Sequence, residues 1–191
     1  FVPTYGYPGN ALSQEDIRKL TSLTNQLAET DSKNHRFLSR FISGESWALA
    51  DYRSYLAANS SEVHPKTSSF SESKVGGPSE HFDFEGKLFS RSSLNYLNGL
   101  SFLKQYVDTT KIHKVLEIGG GFGTLGEIVA QSDISYINVD IPPTAAVSSY
   151  YLHNVIKTDF LDYLATRELN EILIPQSSTQ MVLCPWQLPK L

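Results

Sequence analysis

The chain has 191 residues, 40% of them hydrophobic and 19% charged, enough apolar material for one core with an appendage but not for two full enzymes. Sixteen Lys and Arg against twenty Asp and Glu leave a net charge of −4 and a pI near 5.7, which disfavours a broad nucleic-acid face. The single cysteine, Cys184, excludes an internal disulfide, and no Cys/His spacing suits zinc. No apolar run approaches the ~20 residues of a membrane span, and the opening FVPTYGYPGN lacks the charged start and apolar stretch of a signal peptide. The expectation is a reducing, cytoplasmic home with neither nucleic-acid partner, membrane span nor metal. A start at Phe1, with Met181 the only methionine, predicts a chain cut from a longer reading frame.

Residues 13–30, SQEDIRKLTSLTNQLAET, place Ile17, Leu20, Leu23, Thr24 and Leu27 at helical spacing behind a capping box of Ser13 and Asp16. Residues 34–58 carry Phe37, Phe41, Trp47, Leu49, Tyr52, Tyr55 and Leu56 around Gly44, predicting two short helices with a break. From Ala57 to Glu80 seven serines with Pro65, Gly76, Gly77 and Pro78 predict a linker or long loop, a mobile connector before a substrate lid. Residues 92–107 put Leu94, Leu97, Leu100, Leu103 and Val107 on one helical face behind Ser92 or Ser93.

The rest alternates. KVLEI (114–118) reads as a strand ending in glycines, TLGEIVAQ (124–131) as a helix and SYINVD (135–140) as a second strand. IPPTAAVSSYYLH follows as a helix started by Pro142 and Pro143. NVIKTD (154–159) reads as a brief third strand, FLDYLATRELNEIL as a helix with Phe160, Leu161, Leu164 and Leu169 inward, and QMVLCPW as one more strand. This order predicts an α/β fold with a mainly parallel sheet. It divides into a helical N-terminal region and Ser-rich linker, residues 1–80, and a Rossmann-like domain, residues 81–191.

The most informative run is Glu117-Ile118-Gly119-Gly120-Gly121-Phe122-Gly123-Thr124-Leu125-Gly126. Glycines at the end of a first strand let the backbone turn sharply and let a ligand approach closer than a Cβ permits. Gly121-x-Gly123-x-x-Gly126 satisfies the dinucleotide fingerprint, but Asp140 follows Gly126 by only fourteen residues, short of the roughly 20 the fingerprint expects.

The other parsing, Glu117-x-Gly119-x-Gly121-x-Gly123, resembles motif I of class I S-adenosylmethionine-dependent methyltransferases. LNYLNGLSFLKQYVD, VLEIGGGFGTLGEIV, YINVDIPPTAAVSSYYL and CPWQLPKL together resemble the sugar O-methyltransferases associated with bacterial surface-polysaccharide synthesis, from about Glu80 to the end. The resemblance implies an enzyme that uses S-adenosylmethionine to methylate a hydroxyl of a sugar or glycan intermediate. It implies a cofactor site of Glu117, Gly119, Gly120, Gly121 and Gly123, with Asp140 and Ile141 on the ribose side and Asp159 and Phe160 beside the adenine. Arg91, Asn95 and Tyr96 sit upstream, where such enzymes bring a helix across the cofactor's amino-acid end.

Each acid also has an ordinary reading: Glu117 as a turn cap, Asp140 as a helix start, Asp159 as an N-cap. The catalytic base stays unassigned, with His153 ahead of His113 and His81, and Trp186 is read as buried in the sheet before it is read as a sugar platform. The resemblance implies seven strands, whereas roughly three or four fit after Glu117. The expected sheet is therefore incomplete at its C-terminal side, with an exposed edge through which copies could associate. The alternatives are an NAD-dependent or sugar-nucleotide-modifying enzyme built on Gly121, Gly123 and Gly126, and a non-catalytic binding module.

Overall fold

The first helix starts on a reciprocal cap. In a computed structural model describing residues 13–28, 30–156, 159–174 and 178–191, the Ser13 hydroxyl accepts from the Asp16 N–H at 3.1 Å. The Asp16 carboxylate accepts in turn from the Ser13 N–H, closing the expected capping box on α1 (Gln14–Leu27). Helices α2 (Ser32–Ile42) and α3 (Glu45–Ala57) are split at Gly44, which sits at φ +79°, a conformation that favours glycine. The opening segment, the side chains of Ile17 and Phe41, and residues 157 and 158 of the expected third strand lie outside the described residues.

The chain forms two compact units, one ending at Arg53 and one spanning Ser54–Leu191. The sequence reading divides the chain at residue 80, and the Ser-rich stretch before that point lies within the second unit. Phe70, Ser60, Thr67 and Glu72 are all buried, and the buried Tyr55 hydroxyl donates to the Thr67 carbonyl at 3.0 Å. The Ser71 and Ser73 hydroxyls accept from the Leu88 and Val75 N–H groups at 3.0 and 3.3 Å, and the Ser73 N–H donates to Glu127 at 2.8 Å, so low hydrophobicity marks a packed polar strap, not a connector.

A hairpin absent from the sequence expectations follows, β1 (Phe82–Phe84) paired antiparallel with β2 (Lys87–Phe89). Glu85 and Gly86 make its turn with φ of 58° and 78°, the pair of positive values that two-residue hairpins need. Phe82, Phe84 and Phe89 bury their rings. Helix α4 (Arg91–Tyr106) is capped by Ser90, not Ser92 or Ser93, with Ser93 closing the box from the third helical position. Its buried face is Ser93, Leu94, Leu97 and Ser101, while Leu103 and Val107, expected inside, are exposed.

The second sheet has four parallel strands in the order β3-β4-β6-β5. They are β3 (Lys114–Ile118), β4 (Ser135–Val139), β5 (Asp159–Leu161) and β6 (Thr179–Leu183), connected through α5 (Thr124–Val129), α6 (Pro142–Val155) and α7 (Tyr163–Thr166). β4 and β6 are buried at every position, as strands covered on both faces are. Tyr136 and Val182 pack with Ala145, Tyr151 and Leu152 on one face. Ile137, Val139, Met181 and Leu183 pack with Ile172 on the other. This is an α/β fold compatible with a Rossmann-like sheet.

Two expectations fail around β5. The long helix after it shrinks to α7, with Leu164 and Leu169 exposed. The strand starts at Asp159 instead of ending there.

Candidate functional site

The carboxyl ends of β3, β4 and β6 lie side by side: Gly119 N–H donates to the Val139 carbonyl at 2.8 Å, and Asp140 N–H to the Leu183 carbonyl at 3.1 Å. In parallel α/β sheets this end is where ligands bind, beside the first glycine loop. The loop follows β3, with Gly119, Gly121 and Gly123 at φ of 78°, 60° and 101°. Gly123 is the N-cap of α5.

Asp140 reaches across this loop. Its Oδ2 accepts from the Gly121 N–H at 2.9 Å and its Oδ1 from the Ile141 N–H at 2.7 Å. Each carboxylate oxygen carries two acceptor positions, so half of its capacity remains at a half-buried site. Glu117, paired in register with Asn138, accepts from the Tyr96 hydroxyl at 2.7 Å and from the Tyr136 hydroxyl at 2.6 Å. Burial, then the nearby Glu117 charge, raises the Tyr136 phenol well above its usual pKa, so it stays a donor to that carboxylate.

Gly120 is buried between these groups. A Cβ there would stand 2.6 Å from Asn138 Oδ1 and 2.7 Å from Glu117 Oε2, closer than non-bonded atoms pack. Gly126 answers a different need, because a Cβ there would lie 2.5 Å from the Tyr136 ring. That glycine lets α5 lie close on β4, the role of the third glycine in nucleotide loops.

Behind the loop, burial pushes the Glu127 carboxyl up to about 7, against the lowering effects of hydrogen bonds from the Tyr151 hydroxyl and the Ser73 N–H. Those bonds measure 2.6 and 2.8 Å. Cys184, at the end of β6, is fully buried, and burial followed by the Asp140 charge raises its thiol; it is a packed, protonated side chain.

The structure brings together Glu117, Gly119, Gly120, Gly121, Gly123, Asp140 and Ile141, with Tyr96 against Glu117. It does not bring Asp159 and Phe160. Asp159 pairs with Thr179, the first residue of β6, whereas Asp140 meets Leu183, the last, so about 13 Å of strand separates the two levels. The strand beside β4 is β6, and its end carries Cys184, Pro185 and Trp186. Trp186, expected in the sheet, is 58% exposed there.

His153 also stands elsewhere. From Pro142 the α6 axis carries it about 16 Å toward the amino ends of the strands, where its ring meets Phe160 edge-on at 5.8 Å. His113 directly precedes the amino end of β3, and His81 lies 3.8 Å from Glu72. Arg91 is engaged by Glu80, which accepts from both its backbone N–H and its Nε at 2.9 Å. Its guanidinium is thereby committed within the fold. Asn95 is exposed on α4.

Sequence reading missed Asn138, Tyr136 and Ser148. The available signal was polar residues at alternate positions of the strand YINV, on the face that continues from the glycine loop. Among the described residues no group of three or more His, Cys, Asp or Glu is placed to hold a metal, and no helix is long and apolar enough to cross a membrane.

Comparison with protein-family models, curated proteins and solved structures gives no match.

Proposed function

We propose that the crevice at the ends of β3, β4 and β6 takes S-adenosylmethionine, and that the chain is an O-methyltransferase domain acting on a hydroxyl of a sugar or glycan intermediate. The observation that carries the cofactor reading is the charge of the cradle. Residues 117–127 and 138–141 supply Glu117, Glu127 and Asp140 and no Lys or Arg, and α5 is only six residues long. A dinucleotide pyrophosphate needs a cationic or strongly dipolar seat. A sulfonium nucleoside is cationic at the reacting end and carries a ribose diol, both suited to carboxylates.

In this reading the remaining acceptor positions of Asp140 take the two ribose hydroxyls. Ile141 and Trp186, both 58% exposed beside Asp140 and the end of β6, offer apolar faces to the base. Glu117, oriented by two phenols, sits on the side of the sulfonium and amino-acid portion. The cofactor supplies a methyl group bound to a positive sulfur. Glu117 and Asp140 would hold that group for in-line transfer to the acceptor hydroxyl, whose proton would go to a base. The sugar acceptor follows from the sequence resemblance alone.

Calorimetric titration with S-adenosylmethionine, S-adenosylhomocysteine and NAD in parallel tests the reading. The first two are expected to saturate the site. Asp140→Ala is expected to weaken both by about 30-fold, the equivalent of ~2 kcal/mol for charge-assisted bonds lost. NAD binding in their place would establish the oxidoreductase alternative, and a full-affinity Asp140→Ala protein would remove the ribose assignment. Cofactor binding without methyl transfer to any glycan would support a binding module.

A further inference from the structure

Asn138 is a fully buried polar side chain in the middle of an otherwise enclosed strand. Such a group is disfavoured unless its hydrogen-bonding atoms are used, and its neighbours show what it is used for. Its Nδ2 donates to the Gly121 carbonyl at 3.1 Å and to the Ser148 Oγ at 2.7 Å. Ser148, in α6, is itself fully buried. A hydroxyl can serve as donor or acceptor, whereas a carbonyl only accepts. The Gly121 carbonyl therefore decides which end of the carboxamide carries the protons.

Two consequences follow from that orientation. Gly121 is gripped at both of its backbone polar groups from one side of the loop: Asp140 takes its N–H and Asn138 its carbonyl. The Asn138 Oδ1 is turned toward Gly120, has no hydrogen-bond partner, and shares the space a residue-120 Cβ would fill with Glu117 Oε2. Both atoms facing that space are acceptors within 3 Å of where a Cβ would stand, so position 120 has room for no side chain.

We propose that Asn138, held by Ser148, is the positioning residue of the glycine loop: it locks the Gly121 peptide so that the Asp140 carboxylate and the loop meet the nucleoside preformed. Its effect on affinity rests on the cofactor reading above, whereas its effect on the loop does not. Preformed loops bind more tightly because ordering is not charged to the binding step. The lock joins β4, α6 and the loop through one carboxamide, so loosening any partner loosens the loop first.

The test uses the whole chain and three variants, Asn138→Ala, Asn138→Asp and Ser148→Ala, with amide hydrogen exchange read at residues 119–123 and at β4 and β6. Asn138→Ala is expected to speed exchange of the loop at least tenfold more than exchange of the two strands, and to weaken S-adenosylmethionine at least tenfold. Ser148→Ala is expected to give a smaller change of the same kind. In Asn138→Asp the new carboxyl group cannot donate to the Gly121 carbonyl when ionised but can when protonated. That variant should therefore approach the parent in loop exchange and in affinity, each as a ratio to the parent, as pH is lowered from about 9 to about 5.

Loop exchange unchanged in Asn138→Ala, or raised only in step with the strands, overturns the proposal. So does a parent that binds the cofactor while Asn138→Ala binds within threefold of it. A parent that binds no S-adenosylmethionine while Asn138→Ala still loosens the loop selectively would retain the lock and remove the cofactor reading.

Discussion

Gly120 is the residue at which the site is least tolerant. A methyl group there meets two oxygens inside 3 Å, and both belong to side chains tied elsewhere, Asn138 to Ser148 and Gly121, Glu117 to two phenols. Gly120→Ala is expected to destabilise the protein by about 1–3 kcal/mol, the usual range for overpacking a dense site, and thermal melting reads it. Glu127 makes the complementary prediction in pH. Its folded pKa of about 7 lies above an ordinary glutamate value, so its favourable contribution is full below about 4.5 and is lost as pH rises through 7. The parent should lose on the order of 3 kcal/mol over that window from this group. Glu127→Gln keeps an acceptor for the Ser73 N–H and turns an NH2 donor toward the Tyr151 hydroxyl, which can accept it, and it does not titrate, so urea midpoints from about pH 5 to 8 should be flatter in the variant.

Among elements, the strap that precedes the hairpin has the clearest energetic role. Glu72 sends its backbone N–H to the Leu88 carbonyl at 2.8 Å, and its buried carboxylate accepts from the Ser90 and Ser93 hydroxyls at 2.9 and 2.7 Å. Ser90 caps α4, the helix that brings Tyr96 to Glu117, so the strap, the helix and the site form one chain of contacts. Glu72→Ala leaves the buried Ser90 and Ser93 hydroxyls without their carboxylate and is expected to cost about 2–3 kcal/mol, read as a lower urea midpoint. Little of this strap was legible in the sequence. Its own serines read locally as loop, and the Ser90 and Ser93 hydroxyls that its Glu72 carboxylate gathers lie 18 and 21 positions away. The helices α1 and α6 were legible because their signals, the Ser13–Asp16 box and the paired prolines, act within one turn.

Across the whole sheet, β3 is the terminal strand, and its Leu116 and Ile118 are 49% and 72% exposed. An apolar edge of this kind invites pairing with another chain. The expected outcome is concentration-dependent association, checked by sedimentation velocity over a broad concentration range, with Leu116→Lys and Ile118→Lys together reducing it. A monomer throughout that range would remove the expectation. The same whole-sheet view explains the Asp159 error. From the sequence, an acid before an apolar run is equally an acid after a strand, and only the pairing of Asp159 with Thr179 places it at the amino end.

Neighbouring residues were enough to establish the alternation of strands and helices from Lys114 onward, the glycine loop at the first strand's end, and Glu117 and Asp140 as the acids beside it. Periodicity and glycine's backbone freedom are carried within a few positions of the chain, so they can be read without the fold. Which strand lies next to β4, the commitment of Arg91 to Glu80, the contact of His153 with Phe160 and the hold of Asn138 on Gly121 came only with the folded molecule. Strand order and the hold of Asn138 depend on groups distant in sequence meeting across a parallel sheet, where register is set by how the two faces pack, whereas the Arg91 pair depends on how the chain before the hairpin returns to the start of α4.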